Sequence, residues 1–165
     1  MFFLRDLPTK DMLESFTSRY PELDISALRA CVLLLRTGSD LLSAFENYLN
    51  KHGLSQGRFL TLVVMNRTPD EPANPSDLAA QVGVKPATMT GLLDGLERNG
   101  HVQRVPHPTD RRKVNICLSV QGKVLLDAIL PEFYVYIASL VVDVSPQERD
   151  ELIRILAKVN QQLEG

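Results

Sequence analysis

Residues 74–118 read NPSDLAAQVGVKPATMTGLLDGLERNGHVQRVPHPTDRRKVNICL, and the fold is decided within them. Asn74-Pro75-Ser76-Asp77 supplies a capping side chain, a proline at the first helical position and an acid at the third, which together start a helix. Leu78, Ala79 and Val82 then face inward, and Ala79 is small where a second helix must cross closely. Gly83 allows the sharp turn that separates the two helices. The second helix is expected from Pro86 through Met89, Leu92, Leu93 and Leu96 to its stop at Asn99-Gly100. Two β-prone runs, 101–105 and 113–118, flank Pro106-His107-Pro108-Thr109-Asp110-Arg111-Arg112 and predict a hairpin with a basic tip. The pattern is mainly α with a small β-hairpin.

Outward from this module the chain reads as helices. Leu28, Leu35, Leu42 and Leu49 recur every seven residues, with Val32 and Phe45 beside them, which predicts one long amphipathic helix over about 25–51, closed by Gly53. A shorter helix over 9–20 carries Leu13 and Phe16 on one face and ends at Tyr20-Pro21. Another follows the cap Ser55 through Phe59, Leu62 and Val63 to about Arg67, and 68–74 is a loop with two prolines. Beyond the hairpin, Ser119 caps a helix that Pro131 is expected to interrupt with a kink. Ser145-Pro146-Gln147-Glu148 is a capping box, and Leu152, Ile155, Leu156, Val159 and Leu163 continue at helical spacing. The apolar faces at both ends exceed what the middle module can cover. An intramolecular bundle or a dimer interface would bury them, and the dimer is favoured.

The 165 residues carry a net charge of −2, which at first sight argues against nucleic acid. The distribution reverses that reading. Residues 85–113 hold Lys85, Arg98, Arg104, Arg111, Arg112 and Lys113 against Asp94, Glu97 and Asp110, so this segment is +3 and the remainder −5. A local positive patch on an acidic body suits a DNA-binding surface. Removing the buried stripe of the second helix leaves Lys85, Ala87, Thr88, Thr90, Gly91 and Asp94 outward. Small and hydroxyl side chains there can approach base edges in a major groove, while Lys85 and the first-turn N–H groups favour phosphate. A basic hairpin directly after such a helix has the position of a wing that reaches an adjacent minor groove.

These residues resemble the MarR family of winged helix-turn-helix regulators. The resemblance rests on Asp77-Leu78-Ala79, Gly83-Val84, the run 88–97, Asn99-Gly100-His101-Val102 with Arg104, and Asp110-Arg111-Arg112 leading to Leu118-Ser119 and Gly122. His52-Gly53-Leu54-Ser55 and Ser145-Pro146-Gln147-Glu148-Arg149 extend it over nearly the whole chain. It implies a homodimer in which 1–52 and 119–165 form the dimerisation helices and 53–118 the DNA-binding domain. Lys85, Ala87, Thr88, Thr90 and Gly91 fall on the family's groove-facing positions, and Asp110, Arg111, Arg112 and Lys113 lie in its wing. Gly91 and Gly95 stand where many members carry arginine, and Lys85 where many carry a serine-like cap. The implied function is a repressor on a palindromic operator, released by a small organic effector, with an aromatic or phenolic acid as the expected class.

Two other regulatory readings stay open: a winged-helix interaction module without DNA binding, and a redox sensor acting through Cys31. The bland reading of Cys31 is a small buried apolar filler, because no basic side chain adjoins it in sequence and Arg29 and Arg36 point elsewhere on the helical wheel. Cys117 in the wing is expected in the core. No cofactor or metal is expected, since Cys31, Cys117, His52, His101 and His107 have no ligand spacing. No nucleophile–base pair or phosphate loop points to an enzyme. Met-Phe-Phe-Leu meets Arg5 and Asp6 at once, so neither a signal peptide nor a membrane span is read there, and a cytoplasmic location is expected.

Overall fold

The computed structural model describes residues 9–17, 19–107, 109–110 and 113–163. Its elements are α1 (Lys10–Thr17), α2 (Ile25–Asn50), α3 (Gln56–Met65), α4 (Pro75–Val82), α5 (Pro86–Arg98), β1 (Val102–Pro106), β2 (Val114–Leu118), α6 (Val120–Leu140) and α7 (Pro146–Leu163). The chain divides into two compact units, residues 1–61 and 62–165.

In the first unit, the Asp24 carboxylate starts α2 by accepting from the Ala27 amide at 2.9 Å and from the Ser26 hydroxyl at 2.7 Å. Those bonds, that from Ala27 foremost, hold its pKa below the usual carboxylate value. α1 packs on α2 through a face that buries Leu13, whereas Phe16 is exposed. α1 is shorter than the sequence predicts. It ends at Thr17, and beyond it the Arg19 and Tyr20 amides both bond the Phe16 carbonyl, at 3.0 and 2.9 Å. The leucine stripe of α2 is buried only at its end: Leu49 is enclosed, Leu28 is half-buried, and Leu35 and Leu42 are exposed.

The second unit is built on α4, α5 and the hairpin. Asn74 Oδ1 accepts from the Ser76 amide at 2.8 Å, and Pro75 occupies the first turn of α4. Gly83 closes α4 with φ +76°, a left-handed conformation that a β-carbon would strain. α4 packs on α5 and on β2, and α5 on β1. Leu78, Ala79, Met89, Leu93, Leu96, Val102, Ile116 and Leu118 form that core. Val82 and Leu92 are half-buried at its edge. β1 and β2 are antiparallel, with Val102 opposite Leu118, Arg104 opposite Ile116 and Pro106 opposite Val114. Ala73, expected in a plain loop, joins the other edge of β2: its amide and carbonyl both bond Ile116, each at 2.8 Å.

α6 starts hard against the end of α5. Gly100 turns with φ +75°, and the Ser119 hydroxyl donates to its carbonyl at 2.6 Å while accepting from the Gly122 amide at 2.9 Å. The Ser119 amide donates to the His101 carbonyl at 3.0 Å. The kink expected at Pro131 is not a break, because α6 remains helical from Val120 to Leu140. Asp127 and Pro131 are both exposed, so water can satisfy the carbonyl that proline leaves unpaired. The capping box of α7 forms as read: Glu148 accepts from the Ser145 hydroxyl at 2.7 Å and from its amide at 2.8 Å, which lowers its pKa. The stabilisation from that contact is present above the usual carboxylate range and is lost as pH falls through the lowered pKa.

Two glycines should respond oppositely to alanine. A β-carbon on Gly122 would sit 2.1 Å from the His101 carbonyl oxygen, whereas one on Gly91 would meet nothing within 4 Å. Gly122→Ala should destabilise by about 1–3 kcal/mol through overpacking. Gly91→Ala should stabilise by up to about 1 kcal/mol through helix propensity. Chemical denaturation of the two variants measures both, and similar shifts in them would contradict the packing at Gly122.

Candidate nucleic-acid interface

The orientation of α5 follows from its apolar stripe. Met89, Leu93 and Leu96 are buried, so Ala87, Thr88, Thr90, Gly91, Asp94 and Arg98 are left exposed. Lys85 precedes the helix in extended conformation and makes no side-chain capping bond. The first-turn amides of an α-helix have no intrahelical acceptors, so this end presents N–H groups beside a cation. Thr90 Oγ1 donates to the Pro86 carbonyl at 3.1 Å and is thereby held against its own helix. Lys85, Ala87, Thr88, Thr90 and Gly91 are therefore each exposed, off the buried stripe of α5.

The hairpin is tied to this helix by charge. Arg104 on β1 bonds Asp94 Oδ1 through Nη2 at 2.6 Å and Glu97 Oε2 through Nη1. The bond to Asp94 raises the Arg104 pKa against the opposing effect of burial, and the charges of Glu97 and Asp94 add to the rise. One guanidinium thus bridges two carboxylates a turn apart on α5 and holds the strand to the helix. The sequence alone assigns no such role to Arg104, although the spacing of Asp94 and Glu97 places both acids on one side of α5.

At the hairpin end, the Lys113 amide donates to the Asp110 carbonyl at 2.9 Å, and the His107 amide to the Lys113 carbonyl at 3.2 Å. His107 Nδ1 accepts from the Thr109 and Asp110 amides at 3.3 and 3.2 Å. Lys113 Nζ lies 4.0 Å from Asp110 Oδ2. Asp110 and Lys113 are thus brought together in the wing, while Arg111 and Arg112 fall outside the described residues.

Cys31 is exposed on α2, which corrects the buried-filler expectation for the single chain: the turn of α2 that carries it also leaves Leu33, Leu34 and Leu35 uncovered. Cys117 is half-buried in β2. Among the described residues no cluster of His, Cys, Asp and Glu could hold a metal ion, and no helix is long and apolar enough to cross a membrane.

Residues 54–114 match the model of the MarR family. The chain is 31% identical to the HTH-type transcriptional repressor YetL of Bacillus subtilis over 160 residues, covering 97% of this chain and 96% of that protein. The transcriptional regulator MOSR of M. tuberculosis, solved in complex with DNA, superposes with a TM-score of 0.64 at 27% identity, covering 82% of this chain and 96% of that one. CouR from Rhodococcus jostii RHA1, solved with p-coumaroyl-CoA, gives a TM-score of 0.66 at 25% identity, covering 79% of this chain and 90% of that one. With the winged helix-turn-helix formed as described and the match to YetL spanning nearly its full length, the chain belongs to the MarR family of DNA-binding transcriptional regulators.

Proposed function

We propose that the protein acts in the cytoplasm as a homodimeric repressor, and not as a catalyst, that holds a palindromic operator until an effector releases it. The single observation that carries this reading is the outward face of α5, which is free of large apolar side chains and is joined through Arg104 to a hairpin that carries Lys113 at its turn end. In this account 53–118 is the DNA-reading domain. Lys85 meets phosphate, and Ala87, Thr88, Thr90 and Gly91 lie against base edges. Arg112 enters the minor groove or meets its phosphates, with Asp110 orienting it and with Arg111 and Lys113 nearer the backbone. A guanidinium suits a narrow groove for its planar fork and for the negative potential there.

The dimer rests on unpartnered apolar faces at 1–52 and 119–165. α7 has no buried residue: Leu152, Ile155 and Leu163 are exposed, Leu163 by 78%. On α2, Leu33 and Leu35 are exposed by 56% and 55%. Large apolar side chains left exposed along these helices suit a contact surface, and a second copy supplies a matching one by two-fold symmetry. That symmetry would set the recognition helices about 34–36 Å apart, one turn of duplex. Sedimentation should give a dimer, and Ile155→Asp combined with Val159→Asp should give a monomer with at least tenfold weaker operator binding. A wild-type monomer at micromolar concentration would overturn the arrangement.

The effector reading takes support from the relative CouR, whose bound thioester carries a phenolic acyl group. Phenolic acids or their coenzyme A thioesters should lower operator affinity in a fluorescence-anisotropy titration. Peroxide should act in the same assay only if Cys31 is a sensor, and Cys31→Ser would then abolish that response. Constant affinity across all of these would exclude both classes of signal.

The wing and the helix should give different signatures. Arg112→Ala should weaken binding to operator and scrambled duplexes alike and reduce the salt slope by about one counterion per half-site. Thr88→Ala should instead change the preference among sequences. Anisotropy at several salt concentrations separates them. An unchanged slope in a folded, dimeric Arg112→Ala protein would make the hairpin a solvated loop.

A further inference from the structure

The outward face of α5 has a chemistry that selects among bases. Ala87, Gly91, Asp94 and Arg98 follow one another along it at helical spacing, with Thr90 on one flank and Thr88 on the other, all exposed. The strong discriminators of the major groove are arginine or lysine on guanine and asparagine or glutamine on adenine. Residues 86–92, the first two turns, contain none of these four. A carboxylate can accept from the cytosine amino group, but Asp94, the acid on this face, is held by Arg104 at 2.6 Å. Thr90 has spent its hydroxyl proton on the Pro86 carbonyl, so its γ-methyl and its oxygen lone pairs are what it can still offer.

What the first two turns present, beside the Thr88 hydroxyl, is therefore methyl groups around a bare glycine. The 5-methyl of thymine is the apolar group that bases display in the major groove, and alanine and threonine methyls are its ordinary partners. The open space at Gly91, where a β-carbon would meet no protein atom within 4 Å, allows the helix backbone to come nearer the base edges than a side chain there would permit. We propose that α5 selects its half-site by packing thymine 5-methyl groups against Ala87 and Thr90, with Gly91 providing the clearance. This rests on the DNA-binding reading above and adds the base that is read and the side chains that read it.

Deoxyuracil tests it, because it keeps every hydrogen-bonding group of thymine and removes the methyl. A binding site is first selected by the full-length protein from a random duplex pool, and each thymine of its half-sites is then replaced singly and measured by fluorescence anisotropy. The wild-type protein should select thymine at positions under α5 and lose about fourfold in affinity for each packed methyl removed. Thr90→Ser keeps the hydroxyl and its bond to Pro86 but lacks the methyl, so for this variant the uracil penalty should vanish at one of those positions. The wild-type measurement needs no variant and stands even if Thr90→Ser folds poorly. Tight, specific binding in which every uracil substitution changes affinity less than twofold would overturn the methyl reading and leave DNA binding intact. Failure to enrich any duplex, with no measurable affinity for DNA, would remove the DNA-binding reading and this proposal together.

Discussion

The burial of one stripe of α5 is the constraint on which the rest of the winged module depends. Met89, Leu93 and Leu96 must be enclosed by the α4 and hairpin side of the unit, and this alone sets which residues α5 turns to solvent. Each such side chain is worth about 1.5–3 kcal/mol on burial. The ion pairs of Arg104, partly open to water, belong to a class worth about 0–1 kcal/mol. Packing therefore orients the helix, and Arg104 adds a contact between β1 and α5. Rotating α5 by one residue would bury a polar side chain and expose a leucine, so the outward face is tied to the core.

The same logic passes to α6. Ser119 and Gly122 lock the first turn of α6 onto the turn that ends α5, with Gly122 so close to the His101 carbonyl that no side chain fits. A displacement of α6 must then carry the C-terminal end of α5 with it or break those bonds. That rigidity is what an effector-driven change in recognition-helix separation would need, because interlocked elements move as one body while soft joints absorb the shift.

How much of this is legible in the sequence depends on the range of the interaction. The limits of α4 and α5 follow from Asn74, Pro75, Gly83, Pro86 and Gly100, all local signals with a conformational cause. The pairing of Ala73 with Ile116 spans more than forty residues and leaves no periodic trace, so it could not be read. The tie from Arg104 to Asp94 and Glu97 had a partial signal in the spacing of the two acids, but the partner strand had to be placed first. Cys31 is exposed in the single chain, against the buried-filler expectation, because helical periodicity reports an apolar face without saying what covers it. In α6, Pro131 reads as an interruption from its missing N–H, yet an exposed turn tolerates it. The outward face of α5 was readable because subtracting a buried stripe requires only the helical period. The roles of Arg111 and Arg112 rest on sequence.

The central claim is that the face of α5 opposite Met89, Leu93 and Leu96 is the surface that meets bases. A crystal structure of the dimer with its selected operator tests it most directly. The account predicts α5 of each protomer in a major groove, with Ala87, Thr88, Thr90 and Gly91 in van der Waals contact with base edges and Lys85 at a phosphate. A complex in which α5 stays outside the groove, or enters it through any other face, would contradict the account.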